Sequence, residues 1–364
     1  MTTAQTTWLT DIRNLTATSP GQQRRIDQIQ SLGMPNKKQE LWRYAPLETL
    51  FEKITAPSLG SVQETASETA LAAFDGLTES NVFVPTTLLA PSECRNISFE
   101  AGDSTANLDF VFDTGWQQPH VMIEAKEGAN VTLRIHLKTP GGAGHVLCHL
   151  NLADTANVHI DIVGQTLTAP VLVTLRAVQG SDSNLNIVSY IQDSPWFMLD
   201  LGNAINGTGS DMTLDALSLV RQNQYAGVVT NVRHNIGEST SRQLVKTVLY
   251  DTATTEYNGA VYVAPDAQKT DSVQSNPNLV LSDTARALSR PQLRIYADDV
   301  KCAHGATMGQ LDPEPLFYLA SRGFSHQAAI SMVLAGFAEE VLDQMSDPKE
   351  QKSLLADAIG FLRA

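Results

Sequence analysis

The sequence predicts a mainly β protein with helical ends, because its long middle section differs from both termini. Short runs rich in β-branched residues recur between about residues 81 and 304, glycine-containing turns separate them, and no long amphipathic helix interrupts them. Such a section forms a sandwich, a barrel or a solenoid. Predicted strands begin at residues 131, 158, 171, 185 and 212, and this spacing of about 13 to 27 residues exceeds the roughly 8–12 typical of sandwiches. The spacing favours a parallel β-helix, although the sequence repeat is degenerate.

The N-terminal region is predicted to be helical and carries clear boundary signals. Ser19, Pro20 and Gln22 have the spacing of an N-cap, an N1 proline and a capping-box partner, and Gly33 stands where a C′ glycine ends a helix. From residue 52 to about residue 73 the composition turns to Ala, Ser, Thr and Glu, which favours a linker or a loosely packed helix. The apolar stripe of the predicted helix consists of Ile26, Ile29 and Leu32.

Three further helices are predicted after Leu311. Their N-caps are Asp312, Ser325 and Asp347, and a proline at N1 follows the first and the last of these. Gly323 ends the first of the three helices. The apolar face of the second helix consists of Ile330, Val333, Leu334, Phe337, Val341 and Leu342.

Length and composition predict a globular chain of more than one region. The 364 residues, 42% of them hydrophobic, are enough for a sizeable core. The changes in pattern place an N-terminal helical region and linker at residues 1–80, the β core at residues 81–305 and a C-terminal helical region at residues 306–364.

Charge and cysteine usage exclude several classes of function. The chain has 25 Lys and Arg against 39 Asp and Glu, and its net charge of -14 argues against binding to nucleic acid or to an anionic membrane surface. The N-terminus lacks the basic and apolar segments of a signal peptide, and no apolar run approaches about 18 residues, which predicts a cytoplasmic protein. Three widely spaced cysteines, Cys94, Cys148 and Cys302, predict reduced thiols rather than a disulfide framework.

The stretch DDVKCAHGATMGQL, residues 298–311, places Cys302 and His304 two residues apart in a predicted strand. Side chains at i and i+2 leave the same face of a strand, so the thiol and the imidazole point the same way. Soft metals and Fe–S clusters take about four ligands, so this pair needs a partner surface to complete a site. Residue chemistry alone also fits a half-buried cysteine beside an exposed histidine without a function. Asp298 and Asp299 point to opposite faces of a strand and form no catalytic dyad there.

Two other motifs have a structural explanation. His145 and His149 share one face of a predicted strand while Cys148 takes the other, so this HxxCH cluster cannot converge on a metal without a bulge. The GGAG run at residues 141–144 precedes a strand rather than a helix, which predicts a tight turn and not a phosphate-binding loop. No GxxxxGK[ST] motif occurs, so we expect no ATP hydrolysis by a P-loop in this chain.

Aromatic residues near both ends of the chain are candidates for partner contacts or for the core. The segment LFYLASRGF, residues 316–324, combines aromatic side chains with an arginine, the residue types enriched in interface hot spots, but its leucines also suit helix packing. Trp42, Arg43 and Tyr44 are similarly ambiguous, and anchoring of the N-terminal helices is their favoured role.

The segment YADDVKCAHGATMGQLDPEPLFYLASRGF, residues 296–324, resembles the C-terminal signature of the SufB/SufD family. GMPNKKQELWRYAPL, residues 33–47, is similar to the GxPxxxxExW[KR]Y segment near the N-terminus of that family. The chain resembles SufD more than SufB, because SufB proteins are longer, carry more cysteines and read CSHEAT where this chain reads CAHGAT. Ala303 replaces the usual serine between the two ligands, which leaves their shared face unchanged.

This resemblance implies a right-handed parallel β-helix core flanked by helical regions, and a non-catalytic scaffold subunit for iron–sulfur cluster assembly. It implies that Cys302 and His304 are transient metal ligands at an interface with SufB. It also implies that the C-terminal helices dock SufC, an ABC-type ATPase. No cofactor is expected to bind stably to the chain alone, while a transient iron–sulfur cluster formed with SufB is expected. The residues that we expect to contact a partner are Phe317, Tyr318, Arg322, Phe324 and Phe337.

Two alternatives from other classes remain at this stage. One is a β-helix enzyme acting on polysaccharides, which would use clustered acids and bases on one sheet face and is usually secreted. The other is a self-associating structural solenoid, since a solenoid offers unpaired strand edges. A homodimer through the same edge is expected for the chain in isolation.

Overall fold

The computed structural model describes residues 20–39, 42–52, 83–89 and 91–361, together with residues 8, 10, 11, 17, 54, 74 and 81. The predicted N-cap Ser19 lies outside the described residues, as does the predicted linker apart from residues 52 and 54. The helices of the described part are α1 (Pro20–Leu32), α2 (Leu47–Phe51), α3 (Phe83–Leu89), α4 (Pro313–Ser321), α5 (His326–Leu342) and α6 (Pro348–Gly360).

The strands form two parallel sheets, and from β4 onwards they alternate between the two. Strands of the first sheet are β1 (Glu93–Phe99), β3 (Trp116–Gln117), β4 (Pro119–Ala125), β6 (Ala143–Leu152), β8 (Val171–Gln179), β10 (Trp196–Ile205), β12 (Tyr225–His234), β14 (Thr254–Val263) and β16 (Arg286–Ile295). Strands of the second sheet are β2 (Gly102–Val111), β5 (Ala129–Lys138), β7 (Asn157–Gln165), β9 (Asn184–Gln192), β11 (Asp211–Val220), β13 (Thr240–Leu249), β15 (Asp271–Val280) and β17 (Lys301–Gly309).

Each strand pairs with the strand that follows it one full coil later. Asp211 in β11, for example, pairs in register with Thr240 in β13, which lies 29 residues further along the chain. Two strands per coil and parallel pairing between coils define a β-solenoid. The predicted parallel β-helix is therefore confirmed, and so are the helices at both ends.

Aliphatic side chains from both sheets fill the space between them. Alternate residues of each strand point inward, and in β5 the buried positions alternate with more exposed ones along most of the strand. Replacing one such core leucine with alanine typically costs about 2–5 kcal/mol, because the stacked coils cannot collapse into the cavity. The inward residues of β5 and β6 are Val131, Leu133, Ile135, Leu137, Val146, Cys148, Leu150 and Leu152.

The N-terminal helices cover the outer face of the first sheet. Helix α1 ends as predicted, because Gly33 adopts a φ of +67° and its N–H donates to the Ile29 carbonyl at 2.9 Å. Trp42 is fully buried among these helices, which confirms that it anchors the core, whereas Arg43 is exposed. The outward residues of the first sheet that join this apolar cluster are Leu172, Trp196, Met198 and Tyr225.

The C-terminal helices α5 and α6 lie against the outer face of the second sheet. Their caps agree with the sequence, since Ser325 accepts a hydrogen bond from the Ala328 N–H and Asp347 accepts one from the Lys349 N–H. Polar contacts add to this packing, because the His136 ring of β5 contacts Glu350 of α6 at 2.9 Å. The apolar residues at this contact are Val163, Val188, Tyr190, Leu217, Leu219, Val248, Leu334, Ala338, Val341, Leu342 and Leu354.

Three histidines are buried between the first sheet and the N-terminal helices. The His145 ring hydrogen-bonds with the hydroxyl groups of Thr87 and Thr174 at 2.7 and 2.9 Å. His149 contacts His120, with 2.9 Å between ring nitrogens. Cys148 lies in the inter-sheet core, on the other face of β6. The expectation that the HxxCH cluster does not converge is confirmed. Residues 140 and 141 form a bend and β6 begins at residue 143, so the GGAG run leads into a strand as expected, although its last two residues belong to that strand rather than to a turn.

Burial keeps this histidine cluster neutral. Burial lowers the pKa of His120 to about 4 and that of His145 to about 3, and it lowers the pKa of His149 well below the usual value. Two guanidinium groups add to the effect, because Arg25 lowers the pKa of His120 and Arg176 lowers that of His145. The Arg176 charge is itself balanced by Asp200 at 2.6 Å.

We expect acid to release the N-terminal helices. In an unfolded chain these histidines take up protons near pH ~6.5, whereas the folded cluster resists protonation, so stability present above about pH 6.5 is lost as the pH falls towards about 4. Tryptophan fluorescence measures this directly, since all four tryptophans of the chain (Trp8, Trp42, Trp116 and Trp196) lie in or against the cluster beneath these helices. The emission should shift to longer wavelength over that pH range.

Two variants test the cause of this acid response. His145→Gln should weaken the pH dependence, because it removes one of the groups that must charge. The exposed His326 of α5 provides the matched control, and His326→Gln should leave the response unchanged. Emission that stays constant down to about pH 4 would contradict this explanation.

Candidate functional site

The last strand of the second sheet, β17, lies at an open end of the solenoid. Among the described strands it pairs only with β15, and the last strand of the first sheet, β16, pairs only with β14. Residues of β16 are at least partly exposed throughout, which shows that the described part of the chain does not cover this end. Asp298 and Asp299 are exposed in a bend just before β17, as expected for solvated turn acids.

Cys302 and His304 lie on the face of β17 that turns towards the space between the sheets. Cys302 pairs in register with Ser272, and His304 pairs with Gln274, both of which are buried in β15. The Cys302 thiol is half-buried against the inter-sheet core, and burial raises its pKa. The His304 side chain is exposed. The strand therefore presents a thiol and an imidazole on one face at the open end of the solenoid.

The interior of the last coils, next to this pair, is polar rather than aliphatic. The hydroxyl groups of Thr230 and Tyr257 donate to the side-chain oxygen of Gln243 at 2.6 and 3.2 Å. Gln274 lies one coil nearer to β17 and is only 1% exposed. A methyl group at Gly259 would lie 2.2 Å from the Tyr257 hydroxyl oxygen and 2.5 Å from the Gln274 side-chain nitrogen, so glycine lets both groups pack against the backbone here.

Helix α4 presents an aromatic surface that the rest of the described chain leaves uncovered. No residue of α4 is buried, and Phe317 and Tyr318 are 76% and 56% exposed. The guanidinium of Arg322 lies over the Tyr318 ring at 5.3 Å, and Phe324 is 45% exposed. This cation–π pair and its neighbours have the composition of an interface hot spot. We refer to these four residues as the α4 surface.

Phe337, the fifth residue predicted to contact a partner, has a different environment. It lies on α5, packs against the apolar cluster on the second sheet, and carries the Lys246 ammonium 4.4 Å from its ring centroid. The same ammonium donates to the Phe337 carbonyl at 2.9 Å. Phe337 thus has an evident role in holding α5 on the sheet, and its contact with a partner stays a prediction.

A groove of about 350 Å³ separates the end of the second sheet from the beginning of α5. Tyr250 and Leu281 form its wall on the solenoid, and Gln327 and Ile330 form its wall on α5. Gln310, just after β17, lies between these walls. The groove therefore connects the strand that carries the ligand pair with the helices that follow it.

The ligand inventory of the described residues is small. None of their His, Cys, Asp and Glu side chains form a group of three or more arranged to hold a metal ion. Cys302 and His304 supply two of the roughly four ligands that a soft metal or a cluster needs, so further ligands must come from outside this surface. No helix in the described part is long and apolar enough to cross a membrane.

Sequence reasoning missed the polar interior beside the pair. Thr230, Gln243, Tyr257 and Gln274 are distant in sequence, and only the register of the coils brings them together. A usable signal did exist, because the inward positions of β13 and β15 read Ser, Gln, Asn and Thr where earlier strands read Val, Ile and Leu.

The fold and site together define a parallel β-solenoid whose thiol and imidazole lie side by side on a terminal strand with one unpaired edge. Residues 110–337 match the family described as SUF system FeS cluster assembly, SufBD core domain. The chain belongs to this family, and within it is most like SufD.

Curated relatives agree with this membership. The chain is 26% identical over 392 residues to the iron–sulfur cluster assembly protein SufD of Escherichia coli, covering 94% of this chain and 92% of that protein. It is 26% identical over 244 residues to SufD of Bacillus subtilis, covering 65% of this chain and 56% of that protein. A SufBD family protein of Synechocystis sp. is 38% identical over 130 residues, covering 36% of this chain and 29% of that protein.

The Cys148 and Cys302 thiols should react at different rates with iodoacetamide. Cys148 is fully buried and burial raises its pKa to about 12, so it should resist alkylation until the chain unfolds. Cys302 should react in the folded chain, but more slowly than in urea, because burial raises its pKa and lowers its thiolate fraction. Peptide mapping by mass spectrometry of a Cys94→Ser variant measures both rates. Labelling of Cys148 before unfolding, or equal rates for Cys302 in both states, would contradict this geometry.

Proposed function

We propose that this chain is a non-catalytic scaffold subunit that builds an iron–sulfur cluster on a surface shared with a second protein. The observation that carries the proposal is the position of Cys302 and His304 on a terminal strand with one unpaired edge, facing the open interior of the solenoid. Two soft ligands bind iron or sulfide weakly, whereas two such surfaces brought together supply the usual number of ligands. In this proposal iron and sulfide are cargo that passes through the shared surface.

The charge of the strand edges supports docking at this end of the solenoid. Proteins usually protect an exposed edge strand with charged side chains. The first strand, β1, carries Glu93 and Arg95, paired at 2.7 Å, whereas β17 carries Lys301 as its one charged residue. Met308 on β17 is 55% exposed. An edge with so little protection suits pairing with another solenoid end, for which we propose SufB.

The α4 surface supports a second docking contact. Aromatic side chains and an arginine that remain exposed on a helix are suited to a groove on a partner, for which we propose SufC, an ABC-type ATPase. The helix follows β17 almost directly, with residues 310–312 between them. A shift of α4 caused by nucleotide-driven approach of two SufC subunits would therefore reach the ligand strand through a very short connection.

The proposed mechanism is mechanical coupling between two sites. It requires the surface shared with SufB to have two arrangements, one that exposes the ligands for assembly and one that releases the product. The energy comes from the ATPase, because this chain has no P-loop motif. We place the complex in the cytoplasm, in keeping with three cysteines that form no disulfide.

The ligand pair is tested by His304→Ala in the co-purified complex with SufB and SufC. Thermal stability and complex formation should stay nearly intact, because an exposed side chain usually contributes within about ±0.5 kcal/mol. The rate at which the Fe–S absorbance appears during anaerobic reconstitution should fall sharply. Cys302→Ser should also reduce the rate, since a hydroxyl is a poor ligand for soft metals.

Thr307→Ala is the matched control for this experiment, because Thr307 is exposed on the opposite face of the same strand. It should leave the assembly rate unchanged. Parental rates in the His304 variant with the complex intact would show that the pair is structural and would overturn the proposal.

The α4 surface is tested by the double variant Phe317→Ala, Tyr318→Ala. The free energy of SufC binding should fall by about 2 kcal/mol, a roughly 30-fold rise in Kd, while the melting temperature stays unchanged because both side chains are exposed. Isothermal titration calorimetry measures the affinity. Phe337→Ala is the contrasting variant and should lower the melting temperature, because its ring packs on the solenoid. Unchanged SufC affinity in the double variant would reassign the α4 surface.

A further inference from the structure

The amide of Gln274 is an unusual group in the interior of the last coils. Gln274 is 1% exposed, and its side-chain oxygen has no hydrogen-bond partner among the described residues, while its side-chain nitrogen lies against the Tyr257 hydroxyl. Buried amides are normally hydrogen-bonded, because an unpaired one has lost its contacts with water without replacement. An exception inside an ordered core therefore needs an explanation.

The surrounding hydroxyl groups do not donate to the Gln274 side-chain oxygen. Thr230 and Tyr257 both donate to the oxygen of Gln243, one coil away. Gly259 lies so close to the Gln274 nitrogen that no side chain fits between them. The amide is thus held in place by packing, and its oxygen accepts no hydrogen bond from the described residues.

Other buried polar residues of the same strand are satisfied. The Asn276 side chain donates to the Val245 carbonyl at 2.7 Å, and the Asn278 side chain donates to the Thr307 carbonyl of β17 at 3.0 Å. Ser272 pairs with Ser241 at 2.8 Å. Among the buried polar residues of β15, Gln274 is therefore the one with an unpaired side-chain oxygen, and its register partner on β17 is His304.

We propose that Gln274 is a positioning residue for His304, whose ring N–H donates to the Gln274 amide oxygen when a partner closes the open end. This inference rests on the proposed function of His304. In-register residues of neighbouring strands lie about 4.8 Å apart with their side chains on the same face, so a change of rotamer brings the imidazole within reach of the amide.

The chemistry explains why such a partner is useful. A histidine that binds a metal through one ring nitrogen usually donates the other N–H to a carbonyl or carboxylate oxygen, which fixes its tautomer and orientation. Gln274 offers that oxygen from a buried and rigid place, while the exposed ring of His304 alone has no such constraint. The amide would therefore hold the free ring nitrogen towards incoming iron.

The test uses the complex with SufB and SufC and measures the rate of Fe–S absorbance against ferrous iron concentration. Gln274→Met keeps the size of the side chain and removes the acceptor. It should raise the half-saturating iron concentration about tenfold, with a smaller effect on the plateau rate. Gln243→Met, one coil away in the same interior, is the matched control and should lower thermal stability without changing the half-saturating concentration.

A double variant separates positioning from a structural effect. In the His304→Ala background, Gln274→Met should cause no further rise in half-saturating iron, because the residue that it positions is absent. An unchanged value in the single Gln274 variant, or an equal rise in both backgrounds, would overturn the inference while the proposed function stands. If His304→Ala alone has no effect, the proposed function fails, and the positioning role fails with it.

Discussion

The parallel, in-register stacking of coils is the constraint on which the rest of this structure depends. The strands inside the stack use their backbone groups on two neighbours, so the hydrogen bonds of one coil are completed by the next coil along the axis. Such a stack has no natural end. Its first and last strands keep unpaired edges, and its two outer faces need cover wherever their side chains are apolar.

The described residues cover the outer faces of the solenoid, and they leave its ends open. Leu172 and Trp196 on the first sheet lie under the N-terminal helices, while Tyr190 and Leu217 on the second sheet lie under α5 and α6. These helices therefore act as side covers rather than as end caps. Because these helices lie on the outer faces, none of them covers the edge of β17. The strand that carries His304 is therefore available to another protein.

The sequence predicted what depends on local pattern and missed what depends on register. The alternation of buried and exposed residues in β5 and the glycine at the end of α1 were predictable from the sequence, because neighbouring residues decide strand faces and helix ends. The opposite faces of Cys148 and His149 followed from the same rule. The packing of α5 on the outer face of the second sheet was not predictable from the sequence. An apolar helix face indicates that the helix is buried, but not which surface buries it. Gln274 was missed because its meaning depends on a partner strand about 30 residues away.

The change from an aliphatic to a polar interior is consistent with this division of roles. Valine and isoleucine in the early coils fill the space between the sheets completely, and such a core needs nothing from outside. Gln243 and Gln274 in the last coils leave amide groups that need further partners, so these coils are less self-sufficient. A stack that is aliphatic in its early coils and polar at its open end places the amides of Gln243 and Gln274 in the coils nearest to Cys302 and His304. The last coils are therefore the part of the solenoid that gains most from a partner that extends it.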